Sequence, residues 1–128
     1  MQNILYISVS LSTGKYINAS NIELNGKSFI ATQGPKPNTI NDFWQLISDH
    51  KIKTVVSLCQ MYQTGDFSSP RCFDYLSQLS KNDFEIIEDT KDYVIRRIKW
   101  EHNELKLDFT HVSTRKSRTR LYGPWILD

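Results

Sequence analysis

Hydrophobic and β-branched residues in the first third of the chain predict a β-hairpin. Residues 16–22 and 28–32 form two short β-rich runs, and Asn25-Gly26 lies between them. An Asn-Gly pair readily adopts the positive backbone dihedrals that a two-residue hairpin turn requires. We therefore expect two antiparallel strands joined at this pair.

Helical spacing of apolar residues follows the hairpin. Within residues 39–49 the apolar positions on one helical face are Ile40, Phe43, Trp44 and Ile47. Asn38 or Thr39 can cap this segment, and Asp42 is favourably placed in its first turn. The pattern predicts an amphipathic helix.

The middle of the chain predicts a buried strand followed by a long connection. Residues 54–59 form a compact β-branched run without alternation, as expected for a strand covered on both faces. Residues 60–82 are rich in Gln, Ser, Gly and Pro and show weak periodicity. We expect a surface connection there, with a short strand around residues 72–76.

Strand-like patterning returns in the last third of the chain. Residues 84–88, 93–100 and 105–112 predict a β-meander whose last two strands turn at His102-Asn103. With the helix, this predicts an α/β domain over residues 1–112, built on a twisted mixed sheet. Residues 113–128 show no clear period, so we predict a basic, irregular tail there.

Composition narrows the classes of function. The chain has 128 residues, enough for one modest core, and 16 Lys and Arg against 14 Asp and Glu leave a net charge of +2. That charge is too small to indicate a nucleic-acid partner. The N-terminal residues lack the cation and the long apolar run of a signal peptide or membrane helix. We expect a soluble, cytoplasmic protein with neither nucleic acid nor membrane as partner.

Five motifs in a consistent order resemble the protein tyrosine phosphatase family. They are Tyr16-Ile17-Asn18-Ala19-Ser20, Phe29-Ile30-Ala31-Thr32-Gln33-Gly34-Pro35, Asn38-Thr39 with Asp42-Phe43-Trp44, Thr54-Val55-Val56, and Arg71-Cys72-x-x-Tyr75. Five strings in register across residues 16–76 make a chance similarity improbable. The resemblance implies the central part of the phosphatase sheet, so the expected fold is a partial protein tyrosine phosphatase fold.

The matched residues identify a scaffold more readily than a reaction centre. The positions that match the family are Tyr16, Asn18, Gln33, Gly34, Pro35, Asp42, Trp44, Cys72 and Tyr75. We expect a tight turn at Gly34-Pro35, an aromatic helix face, and a buried Asn18 that finds hydrogen-bond partners. Direct chemistry at these positions is the competing interpretation.

The catalytic motifs of the family are missing from the sequence. The family hydrolyses phosphotyrosine with His-Cys-x5-Arg, in which a thiolate attacks while backbone amides and the arginine hold the phosphate. Cys59 has Gly65 at the position of that arginine, and Cys72 has Gln78. The Trp-Pro-Asp motif that supplies the family's general acid does not occur either. We predict no catalytic residue, interpret both cysteines as structural, and expect no metal or other cofactor.

Two further positions are possible remnants of a site. The resemblance implies that Asp66 is at the position of an acidic residue that hydrogen-bonds the signature arginine. It likewise implies that Arg71 is at the position of a lysine that approaches the general acid. With those partners missing, we expect the two to contact solvent or each other. The tail carries four further cations, Arg115, Lys116, Arg118 and Arg120. We expect these cations to lie in a solvated tail. The alternative is that they bind anions.

The resemblance leads to three hypotheses. In the first, the chain is a catalytically inactive relative, a pseudophosphatase that binds or competes among phosphotyrosine-signalling proteins. In the second, it is a fragment of an active protein-tyrosine phosphatase that hydrolyses phosphotyrosine through a cysteinyl-phosphate. In the third, it is a decaying gene product without a stable fold. The degenerate loops look like those of polydnavirus (bracovirus) phosphatase-like proteins, which implies a viral modulator of host immune cells in the host cytoplasm.

Overall fold

An eight-stranded sheet and one α-helix contain most of the residues that the structure describes. The computed structural model describes residues 5–58, 61–62, 72–114 and 125–127, with side chains for 8–58 and 73–114. The elements in chain order are β1 (Leu5–Ser8), β2 (Ala19–Leu24), β3 (Lys27–Thr32), α1 (Ile40–Asp49), β4 (Thr54–Ser57), β5 (Met61–Tyr62), β6 (Cys72–Phe73), a 3-10 helix (Tyr75–Gln78), β7 (Phe84–Asp89), β8 (Tyr93–His102), β9 (Leu105–Thr114) and β10 (Trp125–Leu127). The large sheet has the order β1-β2-β3-β10-β4-β9-β8-β7, and β5 pairs with β6 separately.

The predicted hairpin is confirmed at its turn and corrected at its start. Asn25 and Gly26 have φ values of 55° and 77°, so both central residues of the turn lie in the left-handed region. The first strand begins at Ala19 and not at Tyr16. Tyr16 is 83% exposed, since it lies in the loop that precedes β2.

Helix α1 confirms the predicted helix, and its buried face is the apolar face that the spacing indicates. Thr39 is the N-cap residue, but its side chain makes no hydrogen bond to the helix. The Thr39 hydroxyl instead accepts a hydrogen bond from the backbone N–H of Lys36, at 2.9 Å. This bond closes a turn at residues 36–39, whereas the sequence predicts a turn at Gly34-Pro35.

The C-terminal strands confirm the predicted meander. Strands β7, β8 and β9 are antiparallel neighbours, while β9 runs parallel to β4, which makes the sheet mixed. The turn between β8 and β9 lies at Asn103 and Glu104, which have φ values of 48° and 67°, one residue later than predicted.

Two segments differ from their predicted structure. The strand expected around residues 72–76 stops at Phe73, because the Asp74 carboxylate accepts a hydrogen bond from the backbone of Leu76 and begins a 3-10 helix. Residues 113–128, predicted to be irregular, include the end of β9 and all of β10. Strand β10 lies antiparallel between β3 and β4 and so joins the two halves of the sheet.

The core lies between α1 and one face of the sheet. Its largest fully buried side chains are Trp44, Tyr75, Phe43 and Phe109. The Trp44 ring lies edge-on to Tyr75 and Trp100, with ring centroids 5.6 and 5.1 Å apart. Such contacts between aromatic rings add to the free energy gained by burial. Helix α1 is thereby held over the middle of the sheet.

The loop before β2 is tied to the end of α1 by a group of surface hydrogen bonds. The Asp49 carboxylate accepts hydrogen bonds from the backbone N–H and the hydroxyl of Ser12, at 2.7 and 2.9 Å. The Gln45 amide donates to the same carboxylate at 2.7 Å. Burial acts to raise the pKa of Asp49, but these hydrogen bonds outweigh it and hold the pKa below its usual value. No helix in the described ranges is long and apolar enough to cross a membrane.

Candidate functional site

A buried pair of polar side chains links the phosphatase-like motifs to the centre of the sheet. Tyr75 begins the 3-10 helix and is fully buried. Its hydroxyl lies 2.5 Å from Nε2 of His111, which is also fully buried. His111 lies on β9 opposite Val55 of the parallel strand β4. A short hydrogen bond therefore joins the 3-10 helix to β9, one of the two central parallel strands.

The hydrogen-bond network continues from His111 to a half-buried arginine on the same face of the sheet. Nδ1 of His111 lies 3.1 Å from the Ser113 hydroxyl, and that hydroxyl accepts a hydrogen bond from the Arg96 guanidinium at 3.1 Å. A neutral imidazole has one N–H donor and one acceptor nitrogen, so it can complete both contacts at once. The chain of bonds runs from Tyr75 through the imidazole and Ser113 to a cation.

Burial determines the charge of the imidazole. Removal from water, together with the nearby positive charge of Arg96, lowers the pKa of His111 to about 3. His111 is therefore neutral near pH 7 and cannot supply a positive charge for a phosphate. Its role in the described geometry is to receive and donate hydrogen bonds.

The carboxyl ends of β4 and β9 lie side by side next to this network. The Thr114 hydroxyl donates a hydrogen bond to the backbone carbonyl of Ser57, at 3.1 Å, and Ser57 is fully buried. In sheets with parallel strands, ligand sites commonly form beyond such strand ends. The described side chains at this place are hydroxyls, a neutral imidazole and the Arg96 guanidinium, which can orient a ligand but include no thiol.

The sequence-predicted residues fall into two groups in space. Trp44 and Tyr75 are buried together in the core, and the Trp44 indole N–H donates to the Gln78 side chain at 3.1 Å. The remaining predicted positions lie elsewhere: Tyr16, Asn18 and Gln33 are exposed, Gly34 and Asp42 are half-buried, Pro35 is buried, and Cys72 lies on β6. The structure does not bring the nine positions together into one site.

Asn18 corrects one expectation. The sequence predicts a buried side chain, but Asn18 is exposed. Its backbone carbonyl carries the structural role instead and accepts hydrogen bonds from the Thr32 hydroxyl at 3.2 Å and the Gln33 N–H at 3.4 Å. These bonds join the loop before β2 to the end of β3.

Several predicted positions lie outside the described residues. They are Asp66 and Arg71, Cys59, and the basic tail positions Arg115, Lys116, Arg118 and Arg120. Their predicted contacts therefore stay predictions. Within the ranges that are described, no three His, Cys, Asp or Glu side chains cluster in a way that could hold a metal ion.

Sequence reasoning missed His111, although two signals indicate it. Along β9 the alternation of Leu107, Phe109 and His111 places all three on the buried face. His111 is also the one histidine of the chain with an arginine seven positions on, Arg118, as in His-Cys-x5-Arg. The residue after His111 is Val112, so the segment matches the spacing of that motif but not its cysteine. A search for cysteines alone does not find this segment.

Comparisons with known proteins place the chain in a family. The profile described as protein-tyrosine phosphatase matches residues 5–123. The chain is 37% identical over 108 residues to rat phosphatidylinositol phosphatase PTPRQ, covering 81% of this chain and 5% of that protein. It is 31% identical over 112 residues to human tyrosine-protein phosphatase non-receptor type 7, covering 80% of this chain and 30% of that protein.

A further relative is rat receptor-type tyrosine-protein phosphatase C, 36% identical over 102 residues, with 73% of this chain and 8% of that protein covered. The chain thus spans less than a third of the length of each of these relatives. The match nevertheless covers most of the present sequence, as does the family profile. The chain belongs to the protein-tyrosine phosphatase family.

Proposed function

We propose that this chain is a catalytically inactive member of the family that acts by binding within phosphotyrosine signalling. One observation carries the proposal: no cysteine in the 128 residues has an arginine six positions on. The cysteinyl-phosphate mechanism requires both groups, one to attack and one to hold the phosphate oxygens. The Trp-Pro-Asp motif of the general acid is absent from the sequence as well.

The surroundings of His111 support the same proposal. The segment from His111 to Arg118 has the family's spacing, yet its second residue is Val112, which cannot form a thiolate. In addition, the imidazole is fully buried and neutral, so it adds no positive charge that would lower the pKa of a thiol introduced beside it. The position is suited to packing in a strand and not to nucleophilic attack.

The alternative is that the chain is a segment of an active protein-tyrosine phosphatase. Its short span within the relatives, 5% of the rat protein and 30% of the human protein, favours this alternative. In that case further residues would supply the cysteine, the arginine and the acid. The 128 residues alone would still be inactive, but the longer protein would hydrolyse phosphotyrosine.

Turnover assays on the purified chain test the proposal. The substrates are p-nitrophenyl phosphate, a phosphotyrosine peptide and, because one relative is named a phosphatidylinositol phosphatase, a short-chain phosphoinositide. We expect no phosphate release above that of heat-denatured protein. Turnover that Cys59→Ser abolishes would contradict the proposal and identify a nucleophile.

For the binding role, we propose competition for the protein partners of active relatives. Human non-receptor type 7 phosphatase would be assayed with and without an excess of the chain. We expect slower dephosphorylation of phosphotyrosyl proteins but unchanged turnover of p-nitrophenyl phosphate, since the chain would occupy partners and not the active site. Equal rates on the protein substrates would count against competition.

The narrower biological setting rests on the resemblance of the degenerate loops. We propose that the chain is a viral modulator of host immune cells, of the polydnavirus type, that works in the host cytoplasm. Expression in cultured insect blood cells tests this role. Reduced adhesion and phagocytosis relative to cells that carry the empty vector is the expected result, and unchanged adhesion would contradict it.

A further inference from the structure

Strand β7 forms one end of the large sheet and has unusual surface chemistry. Within the described ranges no strand pairs with its outer edge, so the backbone there can accept another strand. Ile86 and Ile87 are consecutive and exposed, at 50% and 58%. These two isoleucines and Tyr16 are the large hydrophobic side chains that the structure leaves open to solvent among those it describes.

The register of β7 explains why both isoleucines are exposed. Ile86 lies opposite Arg96 of β8, and Glu88 lies opposite Ile95, so Ile87 has no residue opposite it. An extra residue of this kind disturbs the alternation of side chains between the two faces. The irregularity therefore presents two neighbouring apolar side chains at the sheet edge.

Acidic residues flank the two isoleucines. Glu85 and Glu88 are both exposed. Arg97, which lies opposite Glu85, is bound instead to Asp108 on its other side. Glu88 accepts a hydrogen bond from the Tyr93 hydroxyl at 3.0 Å, which leaves its negative charge in place. The outer edge of β7 is thus apolar in its centre and negative at both sides.

These charges distinguish between two kinds of occupant. If β7 paired with β7 of a second copy in an antiparallel arrangement centred on the isoleucines, Glu85 would lie opposite Glu88 of the copy. Like charges directly opposite each other destabilise a pair of strands. An extended segment with Lys or Arg on each side of an apolar residue makes favourable pairs at the same positions.

We propose that β7 is a docking edge for an extended, basic and apolar peptide segment of a partner protein, which adds a ninth strand to the sheet. Backbone hydrogen bonds would provide affinity, the isoleucines would provide apolar contact, and Glu85 and Glu88 would select a basic segment. This interaction uses no residue of the Tyr75–His111 network. It can therefore be tested independently of the proposed lack of catalysis.

A designed peptide tests the proposal on the full chain. The probe is a fluorescein-labelled peptide of three Lys-Val repeats, and fluorescence anisotropy reports binding. Two control peptides have three Glu-Val repeats or the same Lys-Val sequence with alternate backbone amides methylated. We expect saturable binding of the first peptide only. Equal binding of the methylated peptide would show simple charge attraction and overturn strand addition, and so would no binding of the first peptide.

Variants locate the binding edge. Glu85→Gln is expected to weaken the Lys-Val peptide about threefold, the loss of one exposed charge pair, and Ile87→Ser is expected to weaken it further. Glu23→Gln is the matched control, because Glu23 is exposed on β2, which is paired on both edges. Equal weakening by Glu23→Gln would overturn the assignment to β7. Sedimentation should show a monomer, and a dimer lost in Ile87→Ser would favour a second copy as the occupant instead.

Discussion

The Tyr75 hydroxyl lies 2.5 Å from Nε2 of His111, and both side chains are fully buried. Tyr75 belongs to a motif that identifies the family, while His111 lies on a strand where the sequence predicts only alternation. The bond fixes the 3-10 helix against β9. We expect the stability of the sheet centre to depend on it.

Replacing Tyr75 by Phe removes one hydroxyl and keeps the ring. The free energy of unfolding should fall by about 1–3 kcal/mol, because a buried imidazole nitrogen loses its hydrogen-bond partner. Urea denaturation followed by circular dichroism measures the change. Tyr93→Phe is the control, since its hydroxyl bonds an exposed carboxylate, and a change within about 0.5 kcal/mol is expected. Equal losses in both variants would contradict the special role of the buried pair.

Stability should depend on pH through His111. Its pKa is about 3 in the folded chain and 6.5 for the ordinary residue, so the unfolded state binds more protons between these values. The contribution of the neutral imidazole is therefore complete above about pH 6.5 and is lost as the pH falls towards 3.

Urea midpoints measured from pH 7.5 to pH 4.5 test this dependence. The slope attributable to one histidine is at most about 1.4 kcal/mol per pH unit. His111→Gln should reduce that slope, whereas Ser28→Ala, an exposed change that removes no titratable group, should leave it unchanged. An unchanged slope in His111→Gln would contradict the assignment.

The hairpin turn can be tested at Gly26. A Cβ added there meets no atom within 4 Å, but φ is +77°, a conformation that alanine rarely adopts. Gly26→Ala should therefore destabilise the chain by about 1 kcal/mol through backbone strain and not through a clash. Ser28→Ala, an exposed change on β3, should leave the melting temperature almost unchanged. If the Gly26→Ala chain were as stable as the parent, the turn would accommodate alanine without strain, and the prediction would be wrong.

Val112→Cys places a thiol between His111 and the residues that lead to Arg118. We expect no turnover of a phosphotyrosine peptide, because tyrosine is a poor leaving group without a general acid and the neighbouring imidazole is neutral. Measurable turnover that Arg118→Ala abolishes would contradict this expectation. It would show that residues 112–118 form a working phosphate loop.

Local patterns predicted much of the fold. The Asn25-Gly26 pair predicts the hairpin turn, and the four apolar positions of α1 predict its buried face. The turn and the buried face could therefore be identified without tertiary information. The meander was also visible, because β7 to β9 pair with neighbours in sequence. The start of β2 and the burial of Asn18 were predicted wrongly, since both depend on hydrogen bonds between β2 and β3 that only the folded chain reveals.

The missed features depend on contacts between distant residues. Strand β10 has three residues, and its place between β3 and β4 is set by pairing across the sheet, which leaves almost no periodic signal. The alternation along β9 indicates that His111 is buried, but it does not identify its hydrogen-bond partner. That partner is Tyr75, which lies 36 positions away in the chain.

Phosphate release by the purified chain of residues 1–128 tests directly whether the chain is catalytically inactive. We expect no release from a phosphotyrosine peptide or p-nitrophenyl phosphate above the level of a denatured control, although the same sample melts cooperatively. Turnover by the folded chain, lost when Cys59 is replaced by Ser and retained in Tyr93→Phe, would contradict it.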